Sequence, residues 1–170
     1  LLNLVDDFLR AGTNINKIGY FSFTRKAALE AATRAEEKFM IPAKDIPNFR
    51  TLHSFAFRTL GMKKERVMKH SDYRDFGLKM GIPIKTAWYS EEDGIFNSDN
   101  EYLRIINKAR VLEIPVLDQY DKNEHSLDIE RDILYLIDQE LSRYKKEKGL
   151  YDYDDMLEKF IKQGVSTTFD

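Results

Sequence analysis

The chain contains no cysteine, which excludes disulfides, thiol catalysis and zinc–thiolate sites and suits a reducing, cytoplasmic setting. No apolar run approaches the roughly 20 residues needed to span a bilayer, so no membrane partner is expected. The first residues are apolar but lack a basic leader and a small-residue cleavage site, so no secretory signal is read there. Internal repeats and low-complexity tracts are absent. There is a single tryptophan, Trp88. What remains is 170 residues at 42% hydrophobic and 33% charged, the composition of a folded globular chain of one domain or two small lobes.

The net charge of −2 hides an asymmetry. Residues 13–80 carry 14 Lys/Arg against 7 Asp/Glu, and residues 81–140 carry 6 against 14. The basic part suits an anionic polymer, and the acidic part would repel one. Ordinary solvated faces would give the same counts.

Apolar spacing predicts an amphipathic helix over 1–12 with Leu1, Leu4, Val5, Phe8 and Leu9 on one face and Gly12 after its end. No capping residue precedes Leu1, so the helix is expected to belong to something longer. The apolar run "KIGYFSF" (17–23) predicts a strand buried on both faces. A helix over 25–39 with Ala27, Ala28, Ala31, Ala35 and Phe39 follows, then a Pro-marked loop, a short strand at 49–51 and a helix over 52–61 closed by Gly61. Beyond Gly61 the chain reads as helical. One helix runs from a cap at Ser71 to Met80, and one starts from a cap at Asp99. The clearest spans 128–146 with a stripe of Ile129, Ile133, Leu136, Ile137, Leu141 and Tyr144. A last helix spans about 153–163, capped by Asp152, with Met156, Leu157, Phe160 and Ile161 inside. Residues 84–98 read as irregular. The front is a β-α-β crossover with a parallel sheet, and the rest is an all-helical lobe.

Two strand-to-helix junctions stand out. In an open α/β sheet such junctions lie at the carboxyl edge, where ligands bind, and free N–H groups at a helix start favour anions. At the first, Thr24 is placed to cap the next helix or to donate to a phosphate, Arg25 and Lys26 add charge, and Phe23 is a candidate base-stacking platform. At the second, Thr51 is a candidate cap, His53 and Ser54 are polar donors in the first turn, and Arg58 follows about one turn later. Taken singly, each junction is equally compatible with a structural cap. Side by side they would form a track for a sugar-phosphate backbone.

The stretch "FSFTRKAALEAATRA" (21–35) closely resembles the motif Ia region of the UvrD/Rep/PcrA family of superfamily-one DNA helicases, written F-T-N-K-A-A. "TLHSFAFRTL" (51–60) resembles the next motif of that family, T-F-H-S/G followed by an arginine-containing helix. "YDYDDML" (151–157) resembles its D-F-D-D-L segment, where the chain returns from a helical insert to the motor. Arg25 stands where the family commonly has Asn, and Leu52 where it commonly has Phe.

The resemblance implies an α/β, mostly helical fold: a partial RecA-like P-loop motor lobe, with a short parallel sheet and flanking helices, plus an all-helical insert. The expected division is motor lobe 1–62, insert 63–150 and return segment 151–170. It implies an ATP-dependent DNA helicase using ATP and Mg²⁺, acting on single-stranded DNA or a single/double-strand junction together with the rest of the motor. Phe23, Thr24, Arg25 and Lys26 would contact the strand, with Phe23 nearest the bases, and Thr51, His53 and Ser54 its backbone. "LLNLVDDFLRAG" looks like the helix after the family's phosphate loop, and "TTFD" like the lead-in to its Asp-Glu pair. No G-x-x-x-x-G-K-T and no recognisable arginine finger occurs in these residues, so no catalytic residue is assigned. The 170 residues are expected not to bind ATP well or to hydrolyse it unaided.

Asp152, Asp154 and Asp155 can be read as a hard-cation site or as a helix cap with a first-turn acid. An alternative from another class is a non-enzymatic helical interaction module whose acidic 81–140 region binds a protein.

Overall fold

The computed structural model describes residues 2–90, 95–122 and 124–164. They fall into two compact units: residues 2–62 with 157–164, and Lys63–Ser90 with the described part of Ile95–Met156. "TTFD" and Leu1 lie outside the described residues.

The first unit opens with helix α1 (Leu2–Arg10). Val5 is its buried residue, with Leu2 and Leu9 packed beside it. Leu4 and Phe8, expected on the buried face, are 60% and 48% exposed. The helix is rolled so that a narrower stripe faces inward.

Strand β1 is only Tyr20–Ser22, because Ile15–Lys17 is a turn of 3₁₀ helix capped by the Asn14 side chain, which accepts from the Asn16 N–H at 2.9 Å. All three β1 residues are half-buried rather than buried on both faces as expected. The physical reason is that, among the described residues, β1 has one partner in its sheet, β2 (Phe49–Thr51), which pairs with it in parallel. Alternation still operates. Tyr20 stacks on Phe49 at 5.6 Å and joins the Val5–Ile18–Ala35–Ile46 core, whereas Phe21 meets Phe55 at 4.5 Å.

Helix α2 (Arg25–Phe39) is the crossover between the two strands. Its buried residues, Ala28 and Ala35, are small, so its axis lies close to the strands it connects. It ends at Met40 in the left-handed region (φ 54°). Helix α3 (Leu52–Thr59) begins directly after β2 and ends before Gly61 (φ 58°). Phe55 on α3 meets Phe160 edge-on at 5.5 Å within the same unit.

The second unit is helical with one hairpin. Helix α4 (His70–Met80) starts one residue before the expected cap. Asp72, not Ser71, closes it by accepting the Lys69 N–H at 2.7 Å. Residues 84–98, expected to be irregular, contain strands β3 (Ala87–Ser90) and β4 (Ile95–Ser98), antiparallel with Trp88 opposite Asn97. Aromatic and β-branched residues on both sides of "EEDG" are the signal that was available.

Helix α5 (Glu101–Val111) is capped by Asn100, which accepts from Leu103 N–H at 3.2 Å. Asp99 is unavailable as the cap because its carboxylate accepts from the Lys85 and Thr86 N–H groups. A short helix, α6 (Val116–Tyr120), precedes α7 (Arg131–Lys148). Leu134, Ile137, Leu141 and Tyr144 form the buried stripe of α7, while Leu136 points outward and Ile129 is buried ahead of the helix. Together with Phe76 and Leu103 they make the centre of this unit's core.

Helix α8 (Tyr153–Gln163) buries Met156, and Ile161, expected inside, is exposed. Its first turn closes reciprocally: Asp155 N–H donates to the Asp152 carboxylate at 2.8 Å, and Asp152 N–H donates to that of Asp155 at 3.0 Å. Among the described residues no helix is long and apolar enough to cross a membrane.

Gly77, in α4, is packed so closely that a Cβ there would lie 2.7 Å from the Ile82 carbonyl oxygen and 2.9 Å from the Ile84 side chain. Gly→Ala in a helix ordinarily stabilises by about 1 kcal/mol. Gly77→Ala is expected to do the opposite and destabilise the second unit by about 1–3 kcal/mol through overpacking. Urea denaturation followed by far-UV circular dichroism checks this; an increase in stability would refute the close contact.

Candidate nucleic-acid interface

The parallel register pairs Tyr20 with Phe49, Phe21 with Arg50 and Ser22 with Thr51. Both strands therefore end at the same edge, where α2 and α3 start. Neighbouring strands lie about 4.8 Å apart, so the two helix starts are brought together there.

Each start is capped by a threonine. Thr24 is extended (φ −106°) and its Oγ1 accepts the Ala27 N–H at 3.2 Å. Thr51 is extended (φ −73°) and its Oγ1 accepts the Ser54 N–H at 3.1 Å. Caps of this kind stabilise by about 1 kcal/mol. A hydroxyl that accepts from the backbone keeps its own proton, so each threonine can also donate outward. The Ser22 hydroxyl donates to the Thr24 carbonyl at 2.7 Å and fixes the turn between strand and helix.

Around these caps the side chains divide. Phe23 is 65% exposed, an aromatic face turned to solvent beside the turn. Arg25 and Lys26 are exposed at the first turn of α2, with no carboxylate in ion-pair contact among the described residues. Ser54 and Arg58 are exposed on α3. His53 is turned inward, at 7% exposure, so its ring does not stand at the surface beside Ser54.

Sequence reasoning passed over Arg50. It lies on β2 beside Phe21, and its guanidinium donates to the Pro47 carbonyl. Its Nε is buried without a hydrogen-bond partner among the described residues. Burial, and then the Arg58 charge, lower its pKa. The available signal was a cation inside the short strand "FRT", next to a cap.

The Asp152–Asp155 cluster belongs to a different arrangement, in the second unit. Arg110 on α5 reaches Asp152 and Asp155, each at 2.5 Å, and Lys145 on α7 reaches them at 2.6 and 2.7 Å. Burial would raise the Asp152 carboxyl, but Lys145 and Arg110 outweigh it and pull it down to about 2. Among the described residues Asp154 has no cation in ion-pair contact. It accepts from the Asn107 side-chain amide at 2.8 Å beside a small cavity lined by Tyr73, Tyr89, Phe96 and Tyr153. Burial, then the Asp152 charge, pushes it up to about 6.

Among the described residues no cluster of His, Asp or Glu has the geometry of a metal site, and the carboxylates of Asp152 and Asp155 are committed to Arg110 and Lys145. Asp152 and Asp155 close the first turn of α8, as the capping alternative expects, while Asp154 stands apart from that pair.

The family model for the UvrD/REP helicase N-terminal domain matches residues 1–167. No curated protein and no solved structure matches the chain.

The raised carboxyl gives a signed prediction. The folded unit holds the Asp154 proton to about pH 6, whereas the unfolded chain releases it near 4. Stability is therefore lost as pH rises through that window, and the penalty is complete above it. Asp154→Asn keeps an acceptor for Asn107 and removes the charge. It is expected to leave stability unchanged at pH 3.5 and to raise it by about 2 kcal/mol at pH 7.5. Thermal melts of both proteins across that range check the sign; equal stability at pH 7.5 would refute a raised carboxyl.

The family model covers nearly the whole chain, and the chain belongs to the UvrD/REP helicase N-terminal domain family, a family of DNA helicases.

Proposed function

We propose that the chain is part of an ATP-dependent DNA helicase and binds single-stranded DNA along the edge formed by residues 22–26 and 51–58. The observation that supports this most directly is the pairing of Ser22 with Thr51, with two capped helix starts on one edge. Phosphates lie at the helix starts, where backbone N–H groups and the Thr24 and Thr51 hydroxyl protons converge. Arg25, Lys26 and Arg58 supply charge without sequence preference. Phe23 stacks on a base, a contact that accepts any nucleotide. Ser54 adds a hydroxyl to the backbone contacts.

Residues 1–62 would serve as motor lobe, 63–150 as insert and 151–170 as the return to the motor. In the complete motor, ATP with Mg²⁺ supplies the free energy for strand movement. These 170 residues, which carry no G-x-x-x-x-G-K-T, are proposed not to hydrolyse ATP unaided. The acidic region is a poorer candidate for the chain's main binding surface. Several of its acids are taken up internally: Glu101 by Arg104, Asp121 by Arg131 and Glu124 by Lys108.

Fluorescence anisotropy with labelled oligo-dT, titrated with salt, tests the proposal. The chain is expected to bind saturably and more weakly as salt rises. Phe23→Ala should weaken binding by about 5- to 150-fold, from the roughly 1–3 kcal/mol of one stacked base. Lys26→Ala should flatten the log–log salt slope by about 0.7. Unchanged binding in both variants would sink it.

A further inference from the structure

The small cavity beside Asp154 has features that the closing of α8 does not explain. Its volume is about 20 Å³, room for one water-sized occupant. Four aromatic rings line it: Tyr73 from α4, Tyr89 from β3, Phe96 from β4 and Tyr153 from α8. They form two pairs. Tyr89 stacks on Tyr153 at 4.1 Å, and Tyr73 meets Phe96 at 5.5 Å.

Two polar groups face this space with capacity to spare. Tyr73 is only 6% exposed, and its hydroxyl has no hydrogen-bond partner among the described residues. Burial, and then the charge of Asp152, raise its phenol well above the ordinary range, with Asp154 and Asp155 adding to the shift and Arg110 opposing it. The hydroxyl therefore lies at the aspartate end of the cavity. Asp154 uses Oδ2 to accept from the Asn107 amide, and its Oδ1 has no partner among the described residues.

The charges around this end do not balance. Arg110 on α5 and Lys145 on α7 supply two positive charges, against three negative ones from Asp152, Asp154 and Asp155 on and before α8. Asp138 on α7, which also feels Arg110 and Lys145, adds to the excess when ionised. A proton on Asp154 removes the imbalance only up to about pH 6. Above that, a water molecule leaves the carboxylate uncompensated. A cation compensates it and is attracted by the negative faces of the rings. A hard metal ion takes six or more oxygens, more than these two groups offer. Ammonium is water-sized and carries N–H donors that suit a carboxylate, a phenol oxygen and ring faces together.

We propose that the cavity bounded by Tyr73, Tyr89, Phe96, Tyr153 and Asp154 binds an ammonium ion, held by the Asp154 carboxylate, the Tyr73 hydroxyl oxygen and the aromatic faces. The site lies wholly in the second unit and does not rest on the single-strand edge of the first.

The test is a set of thermal melts of the full chain at pH 7.5 across an ammonium chloride series, against sodium chloride at equal ionic strength. Ammonium is expected to raise Tm saturably beyond sodium, because binding to the folded state stabilises it by mass action. Tetramethylammonium, too large for the cavity, should act as sodium does. Near pH 5, one pH unit below the Asp154 pKa of about 6, about a tenth of the carboxyl is ionised, so half-saturation should need about tenfold more ammonium. Asp154→Asn should abolish the shift. Tyr73→Phe should raise the half-saturating concentration by about 2- to 10-fold, the range of one hydrogen bond. A second measurement needs no variant: nitrogen-15 ammonium on the parent chain should show bound protons displaced upfield by the ring currents at pH 7.5. Coinciding melts in ammonium and sodium at pH 7.5 overturn the proposal and leave the cavity to water. So does a shift that tetramethylammonium reproduces, that survives in Asp154→Asn, or that is undiminished near pH 5. Absence of the displaced ammonium resonance overturns it as well.

Discussion

The first unit depends on one parallel register, Ser22 beside Thr51. A slip of one residue would turn Tyr20 away from Phe49 and put Phe21 in its place against the core. It would also draw the two threonine caps out of step. The register is held by apolar packing on both sides: Tyr20 on Phe49 on one face and Phe21 against Phe55 on the other. The two strands have only three residues each, so little of this comes from the ladder itself. Small alanines on α2 let the crossover helix cover the pair, as so short a sheet needs.

The caps join stability to chemistry at the same atoms. A threonine that closes a helix must stand where backbone N–H groups are unpaired, and that place also favours an anion. The oxygen accepts from Ala27 or Ser54 and the proton remains for a ligand. Structural and functional roles for Thr24 and Thr51 are therefore compatible.

The second unit handles charge in two ways. Inside, Arg110 and Lys145 are shared between Asp152 and Asp155, and the aspartates close α8 at the same time. Removing one partner from such a set typically costs 3–5 kcal/mol, because it leaves a buried charge uncompensated. Outside, Lys63, Lys64, Lys146 and Lys148 have no carboxylate in ion-pair contact among the described residues.

The sequence by itself determined the local structure. Thr24 before an alanine-rich run and Thr51 before Leu52 set the starts of α2 and α3, and Asp152 set that of α8, because a cap is a contact over three residues. The motifs around them were enough to indicate the family. Only tertiary structure decided what depends on distant partners. It turned His53 inward, left Leu4 and Phe8 outside, gave the cap of α5 to Asn100 while Asp99 went to Lys85 and Thr86, and paired β3 with β4. It also set Arg66 against Gly149 and Arg110 against Asp152. Helix caps and apolar period are short-range and can be read along the chain; ion pairs, burial and register join residues tens of positions apart, and packing selects among the partners the sequence offers.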